Sequence, residues 1–449
     1  MDRLWFETAL LPEGWARGVR IGIQDGLIAT IDPEVEASRE DDCGAIAIPG
    51  LCNVHSHAFQ RGLAGLTERR GAGEDDFWTW REAMYGFLER LSPEDVEAIS
   101  TLAYCEMVES GFTRVGEFHY LHHDAAGRPY ADPAEMTGRI VSAAEASGIG
   151  LSLLPVFYAH GGFGGAPPTP GQRRFLSTPE SYAGLLEASR RSLAFLPDAT
   201  LGVAPHSLRA VTSEELALLA PLAGAAGIHI HAAEQQAEVE ACLAWSGERP
   251  VGWLLDHGGA DEAWRIIHAT HMISSEVDRL AASGAVAGLC PITEADLGDG
   301  IFPSPEYLGR GGRMGVGSDS NVRISAAGEL RALEYAQRLA RRRRNLLAGE
   351  DRPSVGGFLF RAALTGGGQA LGVRSGLYVG APLDLVELDG RDPTYAAARD
   401  DALLDAWIFA GGRIDRVWRR GHLLVLAGRH LQRSAAERRF RAALERMFS

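Results

Sequence analysis

Lysine is missing altogether: all 44 basic residues of this chain are arginine. That absence excludes every chemistry built on an ε-amine, including Schiff bases, a pyridoxal anchor, a phosphate-loop lysine and a carboxylated lysine bridging two metals. Cysteine is scarce as well. Cys43, Cys52, Cys105, Cys242 and Cys290 are odd in number, scattered and without C-x-x-C spacing, which argues against a disulfide framework or a thiolate zinc site. They read as buried apolar side chains in a reducing cytoplasm. No apolar run is long enough to span a bilayer, and the first residues, acidic and without an apolar core, predict no export signal. Positive charge is outweighed: 44 arginines against 59 acidic residues give −15, which disfavours nucleic acid as a partner. Catalysis must therefore rest on His, Asp, Glu, Tyr, Arg or a metal.

What is present falls into two patterns. Short strand-like runs lie near both ends, around 19–23 and 27–31 flanking a Gln24-Asp25-Gly26 turn, and again at 384–388, 406–409, 417–419 and 422–425. They predict one small β domain, of sandwich type, assembled from residues 1–48 and 372–430, followed by a C-terminal helix over 431–449. Between them, apolar runs at 46–54, 113–118, 150–156, 200–204, 228–230, 265–267, 285–289 and 314–316 alternate with amphipathic helical segments. Eight strands with helical crossovers predict a (β/α)8 barrel over 49–371, with its chemistry at the C-terminal strand ends.

Polar residues collect at those ends. The first strand closes on Asn53-Val54-His55-Ser56-His57, and alternate strand residues face one side, so both imidazoles can reach one metal. The fifth closes on His229-Ile230-His231 with Glu234 three residues on, the sixth on His268-Ala269-Thr270-His271, and the eighth on Gly317-Ser318-Asp319-Ser320. An isolated buried histidine usually does no more than satisfy hydrogen bonds; four such strand ends in one chain are a stronger signal.

These residues resemble the amidohydrolase superfamily in its mononuclear deaminase branch, and the resemblance extends over nearly the whole chain. It implies one divalent metal per subunit, zinc by family habit, held by His55, His57, His231 and Asp319. It also implies Glu234 as proton shuttle and His268 as the group that positions the attacking water, with Asp319 sharing that task. The absence of lysine agrees, because the binuclear branch commonly uses a carboxylated lysine. Longer strings are similar to the formimidoylglutamate deiminase family within it: His55 to Arg61, Phe77-Trp78-Thr79-Trp80-Arg81-Glu82, Glu117 to His123, Ala204 to Arg209 and Cys290 to Gly300. Asp296 and Asn321 depart from that family's pattern, where Asn and His are expected.

That closer resemblance implies a substrate pocket of Gln60, Arg81, Tyr120, His206 and Arg209. The implied reaction is hydrolytic deamination of N-formimino-L-glutamate to N-formyl-L-glutamate and ammonia, in histidine degradation, by a cytoplasmic homodimer without nucleic-acid or membrane partners. Two arginines suit a small dicarboxylate because a guanidinium can hold a carboxylate bidentately. The alternatives are deamination of a cyclic amidine such as guanine or cytosine, and a non-catalytic barrel serving as scaffold. Trp78 and Trp80 read as packing at the pocket entrance, the loop 161–168 as a possible lid, and His119, His122 and His123 as hydrogen-bonding groups rather than a second metal site.

Overall fold

A computed structural model describes residues 2–71, 73 and 75–449. Four strands open the chain: β1 (Asp2–Leu11), β2 (Gly14–Gln24), β3 (Leu27–Asp32) and β4 (Asp42–Pro49). The turn between β2 and β3 is the two-residue Asp25-Gly26, with φ of 54° and 77°. Such left-handed pairs match the twist of a hairpin, which is why Asp-Gly marks one in sequence.

The barrel follows, from β5 (Leu51–Ser56), β6 (Phe112–His119), β7 (Gly150–Phe157), β8 (Thr200–Leu201), β9 (Ala204–Pro205), β10 (Ile228–Ala232), β11 (Trp264–His268), β12 (Val286–Leu289) and β13 (Arg313–Val316). All pairings are parallel, in the order β10-β11-β12-β13-β5-β6-β7-β8, with β9 on β7. Bridges Val203 to Ile228 and Ser207 to His231 bring the ends of that path together, so β8 and β9 act as one interrupted fourth strand and the ring is a (β/α)8 barrel. β6 and β7 are buried along their whole length, as parallel strands covered on both faces must be.

The chain returns through β14 (Leu385–Leu388), β15 (Ile414–Arg419), β16 (His422–Leu426) and β17 (Arg429–His430). These join β1 to β4 in one hydrogen-bonded path of eight strands, with β14 pairing β4 as the junction between the two chain ends. Its core of Leu4, Phe6, Val19, Ile21, Leu383, Leu385 and Trp418 is separate from that of the barrel. The helix Arg433–Phe448 packs on Pro93–Glu109, tied by Arg433 to Glu106 and Glu109 at 2.9 and 2.6 Å.

Two expectations fail locally. The run 46–54 is not one strand. It breaks at Gly50, whose N–H bonds Asp384 O at 3.0 Å, so β4 belongs to the terminal sheet and β5 to the barrel. A Cβ at Gly50 would collide with the Thr113 side chain, which explains the glycine. The run 406–409 lies inside the helix Asp401–Ala410, where its apolar residues pack against the helix Val355–Ala370.

That second helix carries Gly366-Gly367-Gly368 against β5 and β13. A Cβ on Gly366 would overlap the Met314 carbonyl oxygen, so backbone meets backbone here. Gly366→Ala is expected to destabilise the fold by about 1–3 kcal/mol through overpacking. Thermal unfolding reads this as a lowered apparent midpoint; an unchanged midpoint contradicts the close approach.

Among the described residues no helix is long and apolar enough to cross a membrane. Four cysteines are buried as expected, but Cys43, at the start of β4, is exposed, which corrects the expectation of five buried thiols.

Candidate active site

β5 delivers His55 from its last turn of pleat and His57 just beyond it; β10 delivers His231 from its C-terminal end and β13 leads to Asp319. Their reactive atoms meet. His55 Nε2 lies 3.2 Å from His57 Nε2 and 3.0 Å from His231 Nε2, and Asp319 Oδ1 lies 3.3 and 3.6 Å from the His57 and His55 nitrogens. His57 Nδ1 donates to Phe118 O at 2.8 Å and His231 Nδ1 to His206 O at 3.0 Å. A carbonyl can only accept, so the neutral rings of His57 and His231 carry their lone pairs on Nε2, and both of these atoms lie against His55 Nε2. Burial holds all three imidazoles neutral, His57 down to about 3. Neutral imidazole lone pairs converging beside a carboxylate repel unless a cation lies among them, and three nitrogens plus one oxygen is a donor set such ions take. The residues fit a divalent metal.

A second cluster adjoins the first. His268 Nδ1 is 3.3 Å from Glu294 Oε1, while its Nε2 is 3.7 Å from Glu234 Oε1 and 3.8 Å from Asp319 Oδ2. Burial disfavours charge on this ring, but the carboxylates of Glu234, Glu294 and Asp319 outweigh it and push His268 up to about 10. Burial raises Asp319 to about 7, with His268 opposing. Asp299, raised by burial and by Glu234 to about 9, accepts from Gln235 Nε2 and leaves Oδ2 without a partner among the described residues.

The backbone under these groups is strained. Ala233, His268, Ala269, Asp319 and Asn321 all hold positive φ, from 45° to 67°, at the ends of β10, β11 and β13. Left-handed non-glycine residues cost about 1–3 kcal/mol each and persist only where neighbours enforce them. Here the enforcement is visible: Asp319 N donates to His55 O (3.0 Å) and His57 N to Asp319 O (2.9 Å), locking the first and last strand ends together. Asn321, one of the two departures noted above, braces the same loop through Ser318 Oγ, Ser56 Oγ and Asp319 O. The other, Asp296, lies outside the cavity lining, with Glu68 as its neighbour.

Every site residue named from the sequence except His55, which is fully buried, lines one cavity that opens to solvent. Gln60 Nε2 donates to Tyr120 Oη at 2.7 Å, leaving Gln60 Oε1 buried and open. The helix Phe77–Leu88 roofs the cavity with Trp80, Arg81, Met84 and Tyr85 on one face. Asp76 caps its start, accepting from Trp78 N (2.9 Å) and Thr79 N (3.0 Å). The buried guanidinium of Arg174 caps its end by donating to Leu88 O and Leu91 O. Arg81 from this helix and Arg209 from the loop after β9 both reach the cavity, and the Nε of each is buried with no partner among the described residues.

Other features are structural. His229 bonds the carbonyls of Ala226 and Ala370, and His119, His122 and His123 bond those of Leu121, Val156 and Leu176. The 161–168 loop is a small hairpin whose Phe163 stacks on Trp245. Sequence reasoning named no role for Glu294, Asp299 or Glu117. Glu117, buried and raised to about 8, accepts from Ala58 N at 2.7 Å and so supports the turn after His57.

Residues 46–424 match the amidohydrolase family. The chain belongs to that family. Residues 1–45 match the formimidoylglutamate deiminase HutF N-terminal domain. A relative named formimidoylglutamate deiminase, from Pseudomonas aeruginosa, is 51% identical over 445 residues, 98% of each chain. A 5-methylthioadenosine/S-adenosylhomocysteine deaminase of Natronomonas pharaonis is 28% identical over 80% of this chain and 76% of its own. Among solved structures, an amidohydrolase from Brucella melitensis superposes with a TM-score of 0.97 at 51% identity over both whole chains. An adenosine deaminase from Xanthomonas campestris with bound zinc shares the fold, with a TM-score of 0.80 at 20% identity over 99% of this chain and 98% of that one. This amidohydrolase is thus a hydrolase of carbon–nitrogen bonds in a metal-dependent family, with side-chain groups able to hold an ion.

Proposed function

We propose that this amidohydrolase converts N-formimino-L-glutamate and water into N-formyl-L-glutamate and ammonia, a step of histidine degradation. One observation carries the reading: two guanidiniums, each with a buried open Nε, share a cavity with the four-donor cluster. A neutral nucleobase has no use for both, whereas a dicarboxylate substrate satisfies them. The 51% identical relative of that name supports the same choice.

His55, His57, His231 and Asp319 would hold one divalent ion, zinc being the choice the Xanthomonas neighbour favours. When bound, such an ion lowers the pKa of water from 15.7 to roughly 7. The remaining work belongs to side chains. Glu294 fixes the His268 ring at Nδ1, and His268 Nε2 orients the attacking water between Glu234 and Asp319. Glu234 takes a proton from that water as its oxygen adds to the formimino carbon, then gives the proton to the imino nitrogen, leaving an adduct with one hydroxyl and one amino group. Glu234 then carries the hydroxyl proton to the same nitrogen, the bond from that nitrogen to the formimino carbon breaks, ammonia leaves and the oxygen remains as the formyl carbonyl. Arg81, Arg209, Gln60, Tyr120 and His206 hold the glutamate moiety. A cytoplasmic homodimer completes the reading, on the family resemblance and the unbridged cysteines; sedimentation of purified protein and cell fractionation check it.

Ammonia release from N-formimino-L-glutamate against guanine and cytosine tests the substrate. Turnover of either base, with none of the formimino compound, overturns it in favour of the cyclic amidine. Arg209→Ala is expected to raise KM about 10- to 100-fold, the worth of charge-assisted hydrogen bonds of about 1.5–3 kcal/mol, with bound metal unchanged. Parallel loss of metal and substrate would show damage to the fold instead.

A further inference from the structure

Two like charges in one half-buried cavity repel, and something must hold them there. Arg81 Cζ lies 4.3 Å from the centroid of the Trp78 ring, and Arg209 Cζ lies 5.7 Å from that same centroid. The ring carries a negative quadrupole on its faces, and guanidinium groups stack on it readily. Trp78 precedes Arg81 by three positions, so both fall on the same side of the roof helix. Its own position is pinned by the Asp76 cap on its backbone N–H. Tyr85 adds a second ring to Arg81, at 5.6 Å, but not to Arg209. Trp78 is outside the cavity lining, whereas both arginines are in it.

We infer that Trp78 is a positioning residue for substrate selection: its indole clamps Arg81 and Arg209 at a fixed spacing, and that spacing selects substrates with two carboxylates over those with one. The inference rests on the reading above for the identity of the substrate, and deepens it by assigning what sets the preference for a dianion. Neither arginine has a hydrogen-bond partner at Nε among the described residues, so loss of the shared ring loosens both, with Arg81 keeping Tyr85 and Arg209 keeping the attraction of Glu238, and the link between them is gone. Trp78 touches no reacting atom, so its removal weakens binding and leaves the chemical step alone.

The test uses the metal-loaded enzyme with N-formimino-L-glutamate and with N-formiminoglycine, which has a single carboxylate. Trp78→Leu is expected to raise KM for the dicarboxylate about tenfold, the size of two cation–π contacts, with kcat within about twofold. For the monocarboxylate KM moves less than about threefold. Trp78→Phe keeps a weaker ring and falls between wild type and Trp78→Leu. If Trp78→Leu fails to fold, Trp78→Phe still decides, through a KM rise of about threefold confined to the dicarboxylate. An unchanged KM in the folded variants, a fall in kcat instead, or equal damage to both substrates overturns the clamp. Calorimetric binding of N-formyl-L-glutamate separates the two ideas. If wild type binds this dicarboxylate without turning over the formimino compound, the function falls and the clamp is still judged by a tenfold weakening in Trp78→Leu.

Discussion

Removing the divalent ion with a chelator is expected to abolish ammonia release, and stoichiometric zinc to restore it. The Nε2 atoms of three imidazoles neutralised by burial, His57 as far down as about 3, converge, that of His55 lying 3.2 Å from His57 and 3.0 Å from His231. Among the described residues no protein group supplies positive charge inside that triangle. Water at its unassisted pKa of 15.7 is a poor nucleophile at neutral pH, and a shift of that pKa to roughly 7 is a change no side chain here can make. His231→Ala should reproduce the chelator's effect permanently, since it removes one of four donors and leaves the others too few to hold the ion. Elemental analysis beside the ammonia assay checks both. Metal-free protein that still turns over at the native rate would dismantle the proposed site.

Glu234→Gln is the second large effect. The carboxylate is 6% exposed and 3.7 Å from His268 Nε2, close to the atoms that must exchange a proton and screened from bulk water. Glutamine keeps the shape and one acceptor oxygen but cannot carry a proton from water to nitrogen. Turnover is expected to fall by about 10²–10⁴, the range for positioned general acid–base catalysis. Bound metal and KM stay near native, because Glu234 is not among the four ligands. Native kcat in this variant would assign the shuttle elsewhere, with Asp299 the next carboxylate to examine.

Much of the architecture was legible beforehand for a plain reason. Parallel strands buried on both faces, such as β6 and β7, leave uninterrupted apolar runs, and the polar residues that follow them stand out against that background. The H-x-H of β5 and the His231 and Asp319 strand ends were legible for the same reason. The breaks were not. Nothing in an apolar run says which of two sheets owns it, so the handover at Gly50 was invisible, and a four-residue apolar stretch such as 406–409 fits a helix face as well as a strand. Glu294 and Asp299 escaped, and Trp78 was legible only as packing, because what matters is what they touch: an imidazole 26 residues away for Glu294, and a guanidinium more than a hundred residues away for Trp78. One sequence by itself carries no sign of such contacts.

The exposed Cys43 has a practical consequence. It lies on β4 of the terminal sheet and outside the cavity lining, while the other four thiols are shielded. With no lysine in the chain to compete, a maleimide or an iodoacetamide dye would attach at this one place. The enzyme could therefore be tethered to a surface in a single orientation, through a thiol that is not part of its catalytic chamber.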